Sequence, residues 1–264
     1  MIRCVACDID GTLLHGEEKA LSPELLGHIE RLGALGVRFC PASGRQYSSL
    51  RSLFAPVADE LYYVCENGAV VYGPGSPGPV LAKKSMDRAA ALEVCREILA
   101  TEGCEVMISG ADTSYLCPKE ADVVDHVRFF VGNRLTVLER PEQVPEDIVK
   151  VSAYCRQGSR AVEPLLAPPW RGTFRTAVAG EKWLDFTTAD KGIGVRALCS
   201  AMGVALEEVM AFGDNYNDVP MLKIVGEPYL MENAAPELRA RFERRCVRVE
   251  DVLAALCERI EQGR

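Results

Sequence analysis

The stretch Cys7-Asp8-Ile9-Asp10-Gly11-Thr12-Leu13-Leu14 decides how this chain is read. It follows directly on the apolar run Ile2 to Cys7, which has the length of a buried strand. Two carboxylates one residue apart stand where that strand ends, and Gly11-Thr12 turns the chain. Open α/β sheets place their ligands at the carboxyl edge of the strands. Two carboxylates at such an edge need a cation or a proton to relieve their repulsion, which marks them as a candidate functional site.

Outward from this stretch, Ser22-Pro23 pairs an N-cap with a proline at the first helical position, and Leu25, Leu26, Ile29 and Leu32 recur at helical spacing. Val37–Ala42 reads as a second strand, followed by Ser43-Gly44-Arg45, and Leu61–Cys65 as a third. Strands alternating with helices over the first 65 residues predict a parallel sheet. Asn67-Gly68 is a turn signal, and Val70–Tyr72 with Val80–Lys83 can pair as a hairpin. The connecting Gly73-Pro74-Gly75-Ser76-Pro77-Gly78 happens to spell G-x-G-x-x-G. A dinucleotide site needs a helix opening at the last glycine; Pro77, Pro79 and Val80 deny it one.

From about Ser85 to Phe186 the rhythm changes. A helix carries Ala91, Leu92, Cys95, Ile98 and Leu99 on one face, strands follow at Cys104–Ser109 and Ser114–Cys117, and a second helix lies near Ala121–Val131. Val149, Val151, Ala153 and Cys155 then alternate with Lys150, Ser152 and Tyr154. That alternation predicts a half-buried strand of an antiparallel sheet with helices on one side. After Thr188 the α/β rhythm resumes with a helix from Lys191 to Met202, a strand Val209–Phe212 and a closing amphipathic helix Asp251–Ile260. The expected fold class is α/β: a Rossmann-like parallel-sheet core over residues 1–82 and 188–264, with an inserted α+β cap domain over 83–187.

Bulk composition narrows the partners. The 264 residues are 48% hydrophobic and 26% charged, ordinary for a globular protein, with a net charge of -8. No basic stripe is visible, which argues against nucleic acid as a partner. No apolar stretch approaches the roughly 20 residues that span a bilayer, and the N-terminal run meets Asp8 too soon for a signal peptide. Eleven scattered cysteines fit buried free thiols better than a disulfide framework, so a cytoplasmic protein is expected, a monomer or weak homodimer. Cys4 and Cys7, three apart on a strand, face opposite sides and read as structural.

Four pieces fall at strand ends or helix starts of the core: Asp8/Asp10, Ser43-Gly44-Arg45, Lys191, and Gly213-Asp214-Asn215-Tyr216-Asn217-Asp218. In a parallel sheet they can converge on one edge. Asp8, Asp10 and Asp214 would make an all-oxygen site, which suits a hard cation and points to Mg²⁺. A carboxylate nucleophile, a second acid and a divalent metal suit phosphoryl transfer, with Lys191 and the Ser43 hydroxyl on the transferring group's oxygens.

Those four pieces, in this order, resemble the four motifs of the haloacid dehalogenase (HAD) superfamily. The insertion ahead of Lys191-Gly192 is similar in position and size to the cap of the Cof-type phosphatases. The resemblance covers nearly the whole chain. It implies that Asp8 is the nucleophile and Asp10 the acid and base. It also implies that Asp8, Asp214 and the Asp10 backbone carbonyl hold Mg²⁺, while Asp218 orients a metal-bound water. Ser43, Gly44 and Lys191 would meet phosphate oxygens, with Asn67 and Asn217 beside them. The partner it implies is a small-molecule phosphate ester, sugar phosphates first. A phosphomannomutase-like phosphotransferase and a non-catalytic metabolite-binding protein are the alternatives. The chain departs from the family at Met231-Glu232-Asn233-Ala234, in the tail Cys246–Asp251, and at Asp185, where Glu is more usual.

Overall fold

A computed structural model of the chain describes residues 1–16, 18–131, 134–179 and 181–263. The chain divides into two compact units. Met1–Ser43, Leu50–Ala82 and Asp190–Arg264 make the first; Gly44–Ser49 and Lys83–Ala189 make the second.

The first unit is built on a five-stranded parallel sheet. Its strands are β1 (Cys4–Cys7), β2 (Arg38–Pro41), β12 (Val209–Gly213), β13 (Glu227–Met231) and β14 (Arg245–Cys246), in the order β14-β13-β12-β1-β2. β1 lies between two neighbours, and its four side chains are fully buried. Cys7 is level with Phe212 on one side and Pro41 on the other. The residues after β1 and at the end of β12 therefore leave the same edge at the same height. Cys4, Ala6 and Ala211 pack with Val195, Leu198 and Cys199 of the helix Lys191–Met202. The helix Pro23–Ala34 begins where Ser22 accepts from the Leu25 amide at 3.1 Å, and it buries Leu25, Ile29 and Leu32, as its spacing predicts.

The third strand departs from expectation. β3 (Tyr63–Cys65) meets the main sheet through a single parallel bridge, Ala42 to Val64, and otherwise pairs antiparallel with β4 (Val70–Tyr72). The cause is local. Glu66, Asn67 and Gly68 take φ of 51°, 55° and 95°, three left-handed residues in succession that send the chain straight back. β5 (Val80–Lys83) completes this small sheet in the order β3-β4-β5, so the predicted hairpin is present.

The second unit has a six-stranded sheet in the order β10-β11-β9-β6-β7-β8. Its strands are β6 (Cys104–Ser109), β7 (Ser114–Cys117), β8 (Leu135–Val137), β9 (Lys150–Cys155), β10 (Arg175–Ala179) and β11 (Trp183–Thr187). One face packs Val106, Ile108, Val151, Ala153, Leu184 and Phe186 against the helices Arg88–Ala100 and Ser159–Leu166. The other face was expected to meet water. Instead all six residues of β9 are buried, Lys150 and Ser152 included. Towards one end the rings of His126, Tyr154 and Trp183 cluster with centroids 5.1–6.5 Å apart, His126 stacked on Trp183 and Tyr154 tilted against both. Towards the other the segment Gly44–Ser49 lies on it, a contact that strand alternation cannot announce.

Candidate active site

Asp8 is the first residue past β1, and its amide donates to the Phe212 carbonyl at 3.0 Å, so the sheet ladder itself sets its place. The turn that follows closes on one acceptor. The Thr12, Leu13 and Leu14 amides all reach the Ile9 carbonyl, while the Gly11 amide donates to Leu14. This tight loop leaves Asp8 buried and Asp10 exposed. Asn233, in the stretch that departs from the family pattern, donates from Nδ2 to the Gly11 carbonyl at 2.7 Å.

Lys191 begins its helix fully buried, with Asp190 as the N-cap accepting from the Ile193 amide at 2.8 Å. Its Nζ donates to Asp8 Oδ1 and to Asp218 Oδ1, each at 2.5 Å. Burial opposes the charge on the ammonium, but the Asp218 and Asp8 carboxylates outweigh it and raise its pKa. Asp218 uses its second oxygen on the amides of Asp214 and Asn215, both at 3.0 Å. Both of its oxygens are thus engaged in holding Lys191 and folding the 213–218 loop. The sequence pattern did not show this role; Asp218 read there as a partner of metal-bound water.

Asp8, Asp214 and Asp218 bring carboxylate oxygens within 4.8 Å of one another. Three carboxylates face one ammonium, so the cluster is short of positive charge. Burial first, then the charge of Asp218, pushes the Asp8 carboxyl well above the ordinary carboxylate range, against the pull of Lys191. The Asp214 carboxyl is raised for the same two reasons, although Asp8 lies within hydrogen-bonding reach and Thr12 Oγ1 donates to it at 3.5 Å. Two carboxyls so close share either a proton or a cation. With Asp218 engaged elsewhere, Asp8 and Asp214 are the pair suited to a hard metal ion.

The other predicted residues gather on the return turn after β3. Ser43 is buried, its amide donating to the Val64 carbonyl and its carbonyl accepting from the Asn67 amide, both at 2.9 Å. Asn217 Nδ2 donates to Asn67 Oδ1 at 3.4 Å. The turn sits against the start of the Lys191 helix so closely that a Cβ on Gly68 would lie 2.0 Å from the Asp190 carbonyl oxygen. Asn67-Gly68 is therefore both the reversal of the chain and part of this cluster. Gly44, the next residue after Ser43, belongs with the second unit, where its carbonyl accepts from Lys150 Nζ at 3.2 Å.

The chain resembles known proteins along most of its length. It is 28% identical over 243 residues to the 5-amino-6-(5-phospho-D-ribitylamino)uracil phosphatase of Escherichia coli (strain K12), covering 88% of this chain and 86% of that one. It is also 28% identical over 254 residues to the HMP-PP phosphatase of Enterobacter sp. (strain 638), covering 92% and 88%. A crystal structure from Eubacterium rectale superposes with a TM-score of 0.85 at 28% identity, over 97% of this chain and 99% of that one. The haloacid dehalogenase-like hydrolase family matches residues 5–247, a span running from inside β1 past β14, and the chain is accordingly an enzyme belonging to that family of hydrolases.

Proposed function

We propose that the protein is a Mg²⁺-dependent phosphatase that hydrolyses small phosphorylated metabolites, sugar phosphates among them, through a phosphoryl group carried on Asp8. The observation that supports this most is the placing of the Asp8 carboxyl at the strand edge, tied to a buried ammonium and within reach of Asp214. That both sequence relatives are named as phosphatases supports the reaction class.

In this reading Asp8 attacks phosphorus as the bond to the alcohol oxygen breaks, and Asp10 gives that oxygen its proton. Asp10, now ionised, takes a proton from the water that attacks phosphorus and releases Asp8. Its exposed position, outside the Lys191 cluster, suits a group that must trade protons with solvent and substrate. Lys191 and the Ser43 hydroxyl hold phosphoryl oxygens, with Asn67 and Asn217 beside them. Asp8, Asp214 and the Asp10 backbone carbonyl would hold the cation, which when bound would neutralise charge developing on the phosphoryl oxygens. A small-molecule ester as partner and a cytoplasmic location complete the proposal, the latter supported by eleven buried cysteine thiols. Among the described residues no helix is long and apolar enough to cross a membrane.

A panel of phosphate esters assayed with and without Mg²⁺ tests this. Phosphate release to water without an added acceptor is expected, and it must stop on chelation. Turnover that requires a second sugar would instead support the phosphotransferase reading, and binding without any turnover the binding-protein reading.

Protons and the cation compete for Asp8 and Asp214. Both carboxyls are raised, so they retain a proton to higher pH than an ordinary aspartate and release it as pH rises through the raised value. Mg²⁺ should then raise the melting temperature more at about pH 8 than at about pH 5.5. An equal rise at both would contradict this assignment. Gly11 supplies a second check. It has φ of 92°, and a Cβ there would lie 2.3 Å from Asp214 Oδ2. Gly11→Ala should displace that carboxylate and weaken Mg²⁺ binding, measured calorimetrically, by on the order of 10-fold to 100-fold.

A further inference from the structure

Cys104 opens β6 and Cys155 closes β9, and the register of these antiparallel strands sets them directly opposite one another in the second unit's sheet. Among the described strand pairs they are the two cysteines so placed. The ladder shows which kind of pair this is. The Arg156 amide donates to the Gly103 carbonyl at 2.9 Å, one residue outside the pair. The Cys155 amide turns the other way, to the Lys182 carbonyl ahead of β11 at 2.7 Å. Cys104 and Cys155 are therefore a non-hydrogen-bonded pair, the antiparallel position where side chains come closest, with Cα atoms typically about 4.5 Å apart. A disulfide spans Cα separations of about 4.4–6.8 Å, so the backbone need not move to accept one.

Both thiols are buried, and each lies within hydrogen-bonding reach of the other. The Cys155 thiol has a second acceptor in reach, the Ala153 carbonyl at 3.5 Å. The turn ahead of β6 brings a positive charge close by. Lys119 Nζ donates at 2.9 Å to the Thr101 carbonyl, which also accepts from the Cys104 amide at 3.3 Å. The bond from Cys155 first, and the Lys119 charge after it, hold the Cys104 thiol below its ordinary range in spite of burial. Burial drives the thiols of Cys95 and Cys246 the other way, to about 12. Cys104 is thus suited to attack as a thiolate, with Cys155 keeping its proton beside it. The residues flanking the pair, Thr101 to Gly103 and Arg156 to Gln157, are partly or fully exposed. Fraying of these strand ends opens the pair to a small oxidant.

We infer that Cys104 and Cys155 form a reversible redox site, at which hydrogen peroxide closes a cross-strand disulfide. The Cys104 thiolate attacks one peroxide oxygen. The S–O bond forms, the O–O bond breaks, and the departing hydroxide takes up a proton as water. The Cys155 sulfur then attacks the sulfenic sulfur of Cys104. The S–S bond forms, the S–O bond breaks, and the second hydroxide leaves as water with the Cys155 proton. Two thiols lose two electrons, and one peroxide becomes two waters. A dithiol reductant reverses the change by exchange, becoming a disulfide itself. The bond ties the start of β6 to the end of β9 within the second unit, and it stands independently of the phosphatase reading. A reducing compartment keeps the pair as thiols until peroxide rises, the transient use of a disulfide expected there.

The test treats the full wild-type chain, reduced and then freed of reductant, with hydrogen peroxide while it is folded. Remaining thiols are alkylated with N-ethylmaleimide in denaturant, and the digest is mapped by mass spectrometry. The peptides carrying Cys104 and Cys155 should appear joined, lighter by two hydrogens than their sum. Fragmentation should place the bond on Cys104 and not on Cys117, which shares its tryptic peptide. The joined pair should form on the order of 10-fold faster than any other cysteine is modified, and dithiothreitol should release it. With dimedone present, Cys155→Ala should carry the sulfenic adduct on Cys104, whereas Cys104→Ala should leave Cys155 unlabelled. Oxidation should raise the melting temperature of the wild type by several degrees, because the bond closes a long loop, and of neither variant. Peroxide damage spread evenly over the cysteines, or a disulfide between other partners, would overturn the inference. So would a bond that forms only in denaturant, or one that lowers the melting temperature. The wild-type map decides the matter even where an alanine variant folds poorly.

Discussion

Asp8→Asn is expected to abolish turnover, by on the order of 10⁴-fold or more in kcat. The amide keeps the shape of the carboxylate but has no charge to attack phosphorus, and its nitrogen is a poor neighbour for the Lys191 ammonium. Folding should survive. Burial first, and then the charge of Asp218, raises the Asp8 carboxyl against the pull of Lys191, so a neutral side chain there relieves both the desolvation and the repulsion. The expected pair of results is an inactive protein whose denaturation midpoint is no lower than that of the wild type. Undiminished turnover would sink the mechanism, whereas inactivity with a large fall in stability would show only that the variant had unfolded.

Lys191→Met should be costly in both respects. Lys191 and Asp218 are fully buried, and the ammonium is the group that Asp8 and Asp218 share. Removing it leaves two carboxylates facing each other without the cation, and breaking a buried pair of this kind costs about 3–5 kcal/mol. Turnover should fall by a further, separate factor of about 10²–10³, because the proposed donor to the phosphoryl oxygens is gone. Lys191→Met/Asp218→Asn separates the two. Stability, measured by urea denaturation, should recover in part and turnover should not. Recovery of both together would show that Lys191 acts on folding alone.

Much of this site was legible in the chain because its chemistry is local. An apolar strand running into Asp8 and Asp10, a serine N-cap ahead of a proline, and Lys191 at a helix start are each short-range patterns that the structure reproduces. The parallel order of β12, β1 and β2 then brings Asp8 and Asp214 to one edge, as strand alternation predicts. What escaped was set by contacts distant in sequence. The family resemblance casts Asp218 as a partner of metal-bound water, yet both its oxygens are engaged within the protein, one of them on a lysine 27 residues away. Asn233 lies in a segment that departs from the family pattern and still clasps Gly11, 222 residues before it. Glu66 and Asn67 carry no signal that both would turn left-handed, and this turned the third strand from a full member of the parallel sheet into a bridge. Lys150 stood on the polar side of an alternating strand, where the ordinary expectation is water, because nothing in β9 itself shows that Gly44–Ser49 will cover it.

The account turns on a phosphoryl group that resides on Asp8. Wild-type protein mixed with Mg²⁺ and a ³²P-labelled ester, quenched in acid during turnover and then mapped by peptide digestion, tests this most directly. Label should appear on the single peptide containing Asp8, should be absent from Asp8→Asn, and should be lost in mild base as an acyl phosphate is. Label on any other peptide would contradict the assignment of Asp8.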